Sequence, residues 1–355
     1  MLQTEYFASA NTVDGFNSYF DHIFYPEKLN KIFIIKGGPG TGKSSLMRHL
    51  ATRAQEHGEQ IEYFLCSSDP TSLDGVYLRK RNIAVIDGTA PHLSDPIYPG
   101  VVEEVFSTSD FWNTSTLVKS KALIMENMKE KKKQYRRAYY FLNAIGQILQ
   151  DVHKIGAGAL NKMKMIESIK RIEKRYFMNM RPGIEEVKLI AGINKNGYTK
   201  LPTFENMCRT VFVIEDVLTT AYCFLDEIYR MATKKGISVI KSYSPLMKER
   251  INAICLPDIS LCFVIGVRDY DREIAGKTYH YVNMKRFVDK AEISAARQKA
   301  RFASKCCDML FDGAVTSFCE AAQCHEKLEG IYKNAMDFAT LTKKGFLLCD
   351  EILKS

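Results

Sequence analysis

The sequence has no C-x-x-C pair, no long apolar run and no Asn-Lys-x-Asp tetrad, and each absence removes a class of protein. Ten cysteines are spread through 355 residues, nine of them after residue 200, without the spacing of a disulfide framework. That usage predicts a reducing, cytoplasmic setting. Cys306, Cys307, Cys319 and Cys324, with His325 adjoining, lack a zinc knuckle's spacing; their segment reads as helix in which cysteine serves as a small apolar residue. No apolar stretch approaches the ~18 residues needed to cross a bilayer, so no membrane partner is expected. The opening "MLQTEYFASANTVDGF" lacks the basic-then-apolar order of a secretory signal. Without Asn-Lys-x-Asp, no guanine-reading motif is present, which argues against a GTPase.

What is present is a phosphate cradle, "KIFIIKGGPGTGKSSLM", in which Gly37, Gly42, Lys43 and Ser44 meet the pattern G-x-x-x-x-G-K-[ST]. The apolar run Ile32, Phe33, Ile34 and Ile35 predicts a buried strand before it. Leu46, Met47, Leu50 and Ala54 recur at helical spacing after it. Backbone N–H groups must wrap closely around phosphates, and glycine permits the dihedrals this needs. The expected binding set is Gly37, Gly38, Pro39, Gly40, Thr41, Gly42, Lys43, Ser44 and Ser45, with ATP as ligand. Lys43 is expected on the β- and γ-phosphates and the Ser44 hydroxyl on Mg²⁺.

A second magnesium acid is expected at the end of another buried strand, and "NIAVIDG" places Asp87 there, as the Walker B residue. Gly88 follows, where many ATP-hydrolysing machines carry Glu, so the general base is not given by the motif. Asp69, His92, Glu103 and Glu104 are candidates, Asp69 foremost because it follows the second predicted strand, Ile61 to Leu65. Each is also explained by a turn or loop role. Arg79 and Arg81 are candidate arginines for transition-state charge, in cis or from another subunit.

The chain reads as an internal duplication. Setting Ile32 over Val211 aligns "IFII" with "VFVI" and puts Gly58 beside Gly236; downstream "GEQIEYF" faces "GISVIKS" and "NIAVIDG" falls near "LCFVIG", while "FASANTVDGF" corresponds loosely to "LIAGINKNGY". The implied domains are 1–180, a P-loop core with a basic helical hairpin over about 115–178, and 181–355, a degenerate copy with C-terminal helices over about 291–355. In the copy Gly37 becomes Asp216, Gly42 becomes Ala221, Lys43 becomes Tyr222 and Ser44 becomes Cys223. Gly266 is read in place of the second acid. The copy should bind no triphosphate and serve as scaffold or regulator. The expected fold is α/β, with P-loop NTPase-like parallel sheets flanked by helices, each half followed by a long helical hairpin.

Net charge is +9 and unevenly placed. Residues 119–175 carry fifteen Lys or Arg against five Asp or Glu, whereas residues 1–118 carry nine against fourteen. Tyr135, Ala138, Leu142, Ile145, Leu149 and Val152 predict one apolar helix face, to be packed by a neighbour such as the run Leu160 to Tyr176. The basic run "KEKKKQYRR" reads as a solvated face, a contact for nucleic acid or a protein partner, or a lid over the nucleotide.

The succession "FASANTVDGF", "KGGPGTGKSSLM", "CSSDPTSLDGV" and "AVIDGTAPHLSDPIYPGVVEEV", with "DFW" soon after, resembles an uncharacterised bacterial family of tandem P-loop ATP-binding proteins. The resemblance implies two NTPase-like halves and ATPase activity; it implies a second glycine-rich loop as well, from which this chain departs at Asp216, Ala221 and Tyr222. The leading reading is a Mg-dependent ATP hydrolase, acting on the phosphoanhydride bond, or an ATP-driven switch. The alternatives are a small-molecule kinase and an ATP-regulated nucleic-acid-binding or assembly module. Oligomeric state is left open.

Overall fold

Apolar runs punctuated by glycine turns build the first sheet. In chain order the elements here are β1 (Thr4–Phe7), β2 (Ser9–Thr12) and β3 (Gly15–Ser18), which form a separate hairpin, the short α1 (Phe20–Ile23), β4 (Lys31–Lys36), α2 (Lys43–Glu56), β5 (Ile61–Leu65), β6 (Leu73–Leu78), β7 (Ile83–Asp87) and β8 (Glu103–Ser107). The computed structural model describes residues 4–91, 95–180, 182–269 and 273–354. The strand order is β1-β5-β6-β7-β4-β8. Strand β4 runs parallel to β7 on one side and β8 on the other. Ile32, Phe33, Ile34 and Ile35 are all buried, as a strand covered on both faces requires, and α2 lays Met47, Leu50, Ala51 and Ala54 into the same core.

The sheet is mixed rather than parallel throughout. Strand β6 is antiparallel to both β5 and β7. Residues 66–72 between β5 and β6 are too few for the crossover that a parallel neighbour demands, so the chain turns straight back.

Three helices follow, α3 (Thr114–Lys119), α4 (Lys121–Ala159) and α5 (Lys162–Tyr176). The pattern then repeats as β9 (Glu185–Val187), β10 (Ala191–Asn194), β11 (Gly197–Lys200), α6 (Thr203–Met207), β12 (Thr210–Glu215), α7 (Ala221–Lys234), β13 (Val239–Tyr243), β14 (Ile251–Leu256), β15 (Leu261–Ile265), β16 (Thr278–Asn283), α8 (Lys290–Lys333) and α9 (Phe338–Lys354). The second sheet, β9-β13-β14-β15-β12-β16, matches the first strand for strand. Its antiparallel member, β14, stands where β6 stands. The chain thus holds two similar α/β halves, each a mixed sheet of mostly parallel strands flanked by helices.

The expected hairpins are not how the long helices pack. Helix α4 lies antiparallel to α8: Phe141 meets Gly313, while Tyr135 and Tyr139 each meet the Phe318 ring edge-on. The predicted face of α4 is buried there, with Ala138, Leu142 and Ile145 in one cluster with Ala314 and Phe318. Helix α5 instead packs on α7 of the other half, placing Met165, Ile169 and Ile172 among Phe224, Leu225 and Ile228. Helix α9 returns the exchange by packing on α2, where Phe346 stacks on His49 at 4.0 Å between ring centres and Asp350 pairs with Arg53 at 2.5 Å. The physical reason is length: a short corner, residues 160–161 after α4 and 334–337 after α8, turns the chain only after the long helix has carried it beside the opposite sheet.

The exchange is approximately twofold. Phe7 and Leu189 trade backbone hydrogen bonds of 2.8 and 3.2 Å. Asn161 N–H donates to Phe287 O at 2.7 Å, and Asp337 N–H donates to Phe111 O at 2.7 Å. A buried ion pair, Lys188 to Glu62 at 2.8 Å, crosses between the halves. In the basic run of α4, Lys132, Lys133, Arg136 and Arg137 are exposed, whereas Lys131 is turned inward. Among the described residues no helix is long and apolar enough to cross a membrane.

Candidate functional site

The glycine loop of residues 37–42 leaves β4 at its C-terminal end and enters α2. Gly40 (φ +68°) and Gly42 (φ +88°) hold left-handed backbone that other residues adopt only at a cost. Gly42 is also the cap position of α2, and having no side chain it supplies no internal acceptor to the first amides of the helix. Thr41 ties the loop by donating to Gly38 O at 2.9 Å and accepting from Thr108 Oγ1 at 2.9 Å. Pro39 is half-buried between two glycines, and Ser45 is exposed on the first turn of α2.

Lys43 Nζ donates to Gly38 O at 2.7 Å and lies 3.6 Å from an Asp87 carboxylate oxygen. Ser44 Oγ accepts from Leu73 N at 3.0 Å, which joins the helix start to β6. Asp87 ends β7, paired with Ile35, and its carboxylate accepts from the amide and hydroxyl of Thr89 at 2.9 and 2.5 Å. Burial pushes its carboxyl above the usual range, against the pull of the Lys43 ammonium.

A second acid joins this group that the sequence reading did not single out. Because Gly75 pairs with Ile86 in the antiparallel β6–β7 ladder, the next step along sets Asp74 across from Asp87. Asp74 is 4 % exposed, and its charge is among those that raise Asp87. The one local signal was its place before Gly75 in a run of otherwise apolar residues. Lys43, Ser44, Asp74 and Asp87 therefore gather at one mouth. Hydroxyl and carboxylate oxygens suit Mg²⁺, which ordinarily takes one or two carboxylates and completes its shell with phosphate and water.

The other candidates fall elsewhere. Burial pushes the Asp69 carboxyl up, yet Lys195 at 2.9 Å and Thr71 hold it below the ordinary range; it serves as a link between the halves. Glu103 and Glu104 begin β8, paired with Ile32 and Phe33, at the opposite end of the sheet from the loop. Glu103 is buried and accepts from the amides of Ile97 and Tyr98, at 2.5 and 2.8 Å, and Glu104 pairs with Lys31. Arg79 and Arg81 also lie at that far end, bound to Glu62 and Glu59. His92 lies outside the described residues. No group of three or more His, Cys, Asp or Glu side chains among the described residues could hold a metal ion by itself, and His325 is bound to Lys131.

The second half answers the same helix start with its own side chain. Asp216 accepts from the amides of Thr219 at 3.0 Å and Ala221 at 2.8 Å, so a carboxylate of the chain caps α7 where the first loop has none. Burial raises its carboxyl, and those amides oppose the rise. Thr219 keeps the left-handed turn of Gly40 (φ +57°), while Ala221, at the position of Gly42, becomes the first residue of α7. Tyr222, in place of Lys43, is half-buried and hydrogen-bonded to Ser244 at 3.1 Å. Register corrects one expectation: Ile214 pairs with Ile265 as Ile35 pairs with Asp87, so the lost acid is Ile265, and Gly266 corresponds to Gly88. By the same register Asn252 stands for Asp74.

Each loop is roofed by the opposite half. A Cβ on Gly38 would lie 2.7 Å from the Tyr332 ring, and one on Gly40 would lie 3.0 Å from Glu329 O, both near the end of α8. Phe338 and Leu341 of α9 stand over Gly42. At the other loop, His153 of α4 bonds Thr219 O at 3.1 Å and Gly156 sits against Leu218. These roofing residues come from distant sequence and carry no local signal.

Residues 17–163 match the family described as Nephrocystin 3, N-terminal, a stretch that takes in the glycine loop, Asp74 and Asp87. No curated protein and no solved structure matches the chain.

The capping role of Asp216 is testable by stability. Asp216→Ala should lower the unfolding free energy by about 0.5–2 kcal/mol in a urea titration. An unchanged midpoint would show that α7 does not depend on that carboxylate.

Proposed function

We propose that residues 37–44 hold the phosphates of MgATP and that the chain is an ATP-hydrolysing switch with a single working site, in its N-terminal half. In this reading the loop is a Walker A motif and Asp87 the Walker B acid. The observation that carries it is the meeting of Lys43, Ser44, Asp74 and Asp87 at the uncapped start of α2, where a cation, a hydroxyl and two carboxylates stand beside amides that no side chain of the loop caps.

Lys43, which donates to the Gly37 and Gly38 carbonyls, would instead hold the β- and γ-phosphates, and Ser44 and Asp87 would hold the metal. Mg²⁺ supplies neutralisation of charge on the phosphate oxygens. Asp74 is assigned the orientation of the attacking water, because Asp69 is engaged by Lys195 and the two glutamates of β8 lie at the far end of the sheet. The position of Glu329, Tyr332, Phe338 and Leu341 over the loop favours a switch, because these residues of the second half would have to adjust to any phosphate that the loop takes up. That half is proposed as the regulatory partner, its own loop closed by Asp216.

Two substitutions separate binding from chemistry. Lys43→Ala should abolish most MgATP affinity in calorimetric titration without unfolding the protein; a folded variant with unchanged affinity refutes the loop assignment. Asp87→Asn should reduce phosphate release far more than nucleotide binding, since the metal acts chiefly on charge developing in the transition state. Equal losses of both would mean that Asp87 only shapes the turn to Thr89.

A further inference from the structure

Lys131 is out of keeping with the rest of the basic run. Its neighbours Lys132 and Lys133 are in solvent, but its own Nζ is turned in against α8, 2.8 Å from His325 Nδ1. Among the described residues no carboxylate lies within ion-pairing distance of it. Burial lowers its pKa, and the nearby Lys43 ammonium lowers it further, opposed by Glu329 and two cysteines. An inward lysine near a second lysine, answered by a single imidazole nitrogen, leaves donors for an incoming anion.

Its surroundings fix where that anion would be. His325 stands one helical turn before Glu329, whose backbone touches Gly40. Tyr135, one turn along α4 from Lys131, donates to Ser68 Oγ at 2.8 Å, and Ser68 follows β5 on the same sheet edge as the glycine loop. Lys131 is thus bracketed between the loop's roof and the strand ends that carry Asp74 and Asp87.

The duplication offers an internal control. Asn161 caps α5 as Asp337 caps α9, and counting back from these two caps along the preceding long helices sets Lys131 opposite Cys307. The half that replaces Lys43 by Tyr222, Ser44 by Cys223, Asp74 by Asn252 and Asp87 by Ile265 has therefore also replaced this lysine by an uncharged residue.

We propose that Lys131 is the γ-phosphate sensor of the site: a cation, carried by the helix that joins the two halves, that contacts the terminal phosphate of a bound nucleoside triphosphate and leaves His325 to do so. The proposal rests on the reading of the glycine loop as a triphosphate site. It makes α4, and through it α8, responsive to whether the nucleotide is tri- or diphosphate.

The test is calorimetric titration of the full chain with MgATP and with MgADP, for the unmodified protein and for Lys131→Met. The proposal expects the variant to lose about tenfold or more in MgATP affinity, the worth of one charged hydrogen bond, while MgADP affinity is kept. Retained MgADP affinity also reports that the site is folded. Lys131→Gln, which keeps a donor for His325 but removes the charge, carries the same expectation should the methionine variant fail to fold. An unchanged ratio of the two affinities in either folded variant overturns the role of Lys131 and leaves the site assignment standing. Failure of the unmodified protein to bind either nucleotide overturns both.

Discussion

A helix that starts at the end of a buried strand presents unpaired amides to whatever lies before it, and those amides require an acceptor. This requirement organises both halves of the protein. In the second half it is met from within: Asp216 reaches the amides of Thr219 and Ala221 and closes the turn. In the first half the cap position is Gly42, which carries no acceptor, and the loop is shaped by left-handed glycines around the space that Asp216 fills in its copy. The same strand-to-helix turn is closed in one half by a carboxylate of the chain and in the other has no side-chain cap.

The second constraint is the exchange of helices. Because α5 packs on α7 and α9 packs on α2, neither half covers its own helix layer, and the antiparallel pair α4 and α8 forms a beam between them. Each end of the beam rests on a loop of the opposite half: Glu329 and Tyr332 on the glycine loop, His153 and Gly156 on the closed one. The glycine loop is therefore in contact with residues of the second half as well as with Thr108 of its own. Hydrogen bonds from His325, and then from Lys333, draw the carboxyl of Glu329 down to about 2.

How much of this was legible in the sequence follows from how local each feature is. The glycine loop is contiguous, so residues 37–44 and the strand and helix around them could be read directly. The duplication was legible because strands and turns recur in order. Pairing was harder: the short β5–β6 connection makes the sheet mixed, and only the ladder register separates Ile265 from Gly266 as the counterpart of Asp87. Asp74 was missed because one acid in an apolar run looks like a turn residue until the neighbouring strand is known. The face of α4 was correct but its partner was not, since periodicity shows that a face is buried without showing what buries it. Lys131 was invisible for the same reason, one lysine in a basic run, distinguished only by the helix that meets it.

The central claim is that two copies of one architecture contain one working cradle. Equilibrium titration of the full-length chain with MgATP tests it most directly through stoichiometry. The account predicts one nucleotide per chain, since Asp216 already occupies the amides of the second loop. Two nucleotides per chain would contradict it.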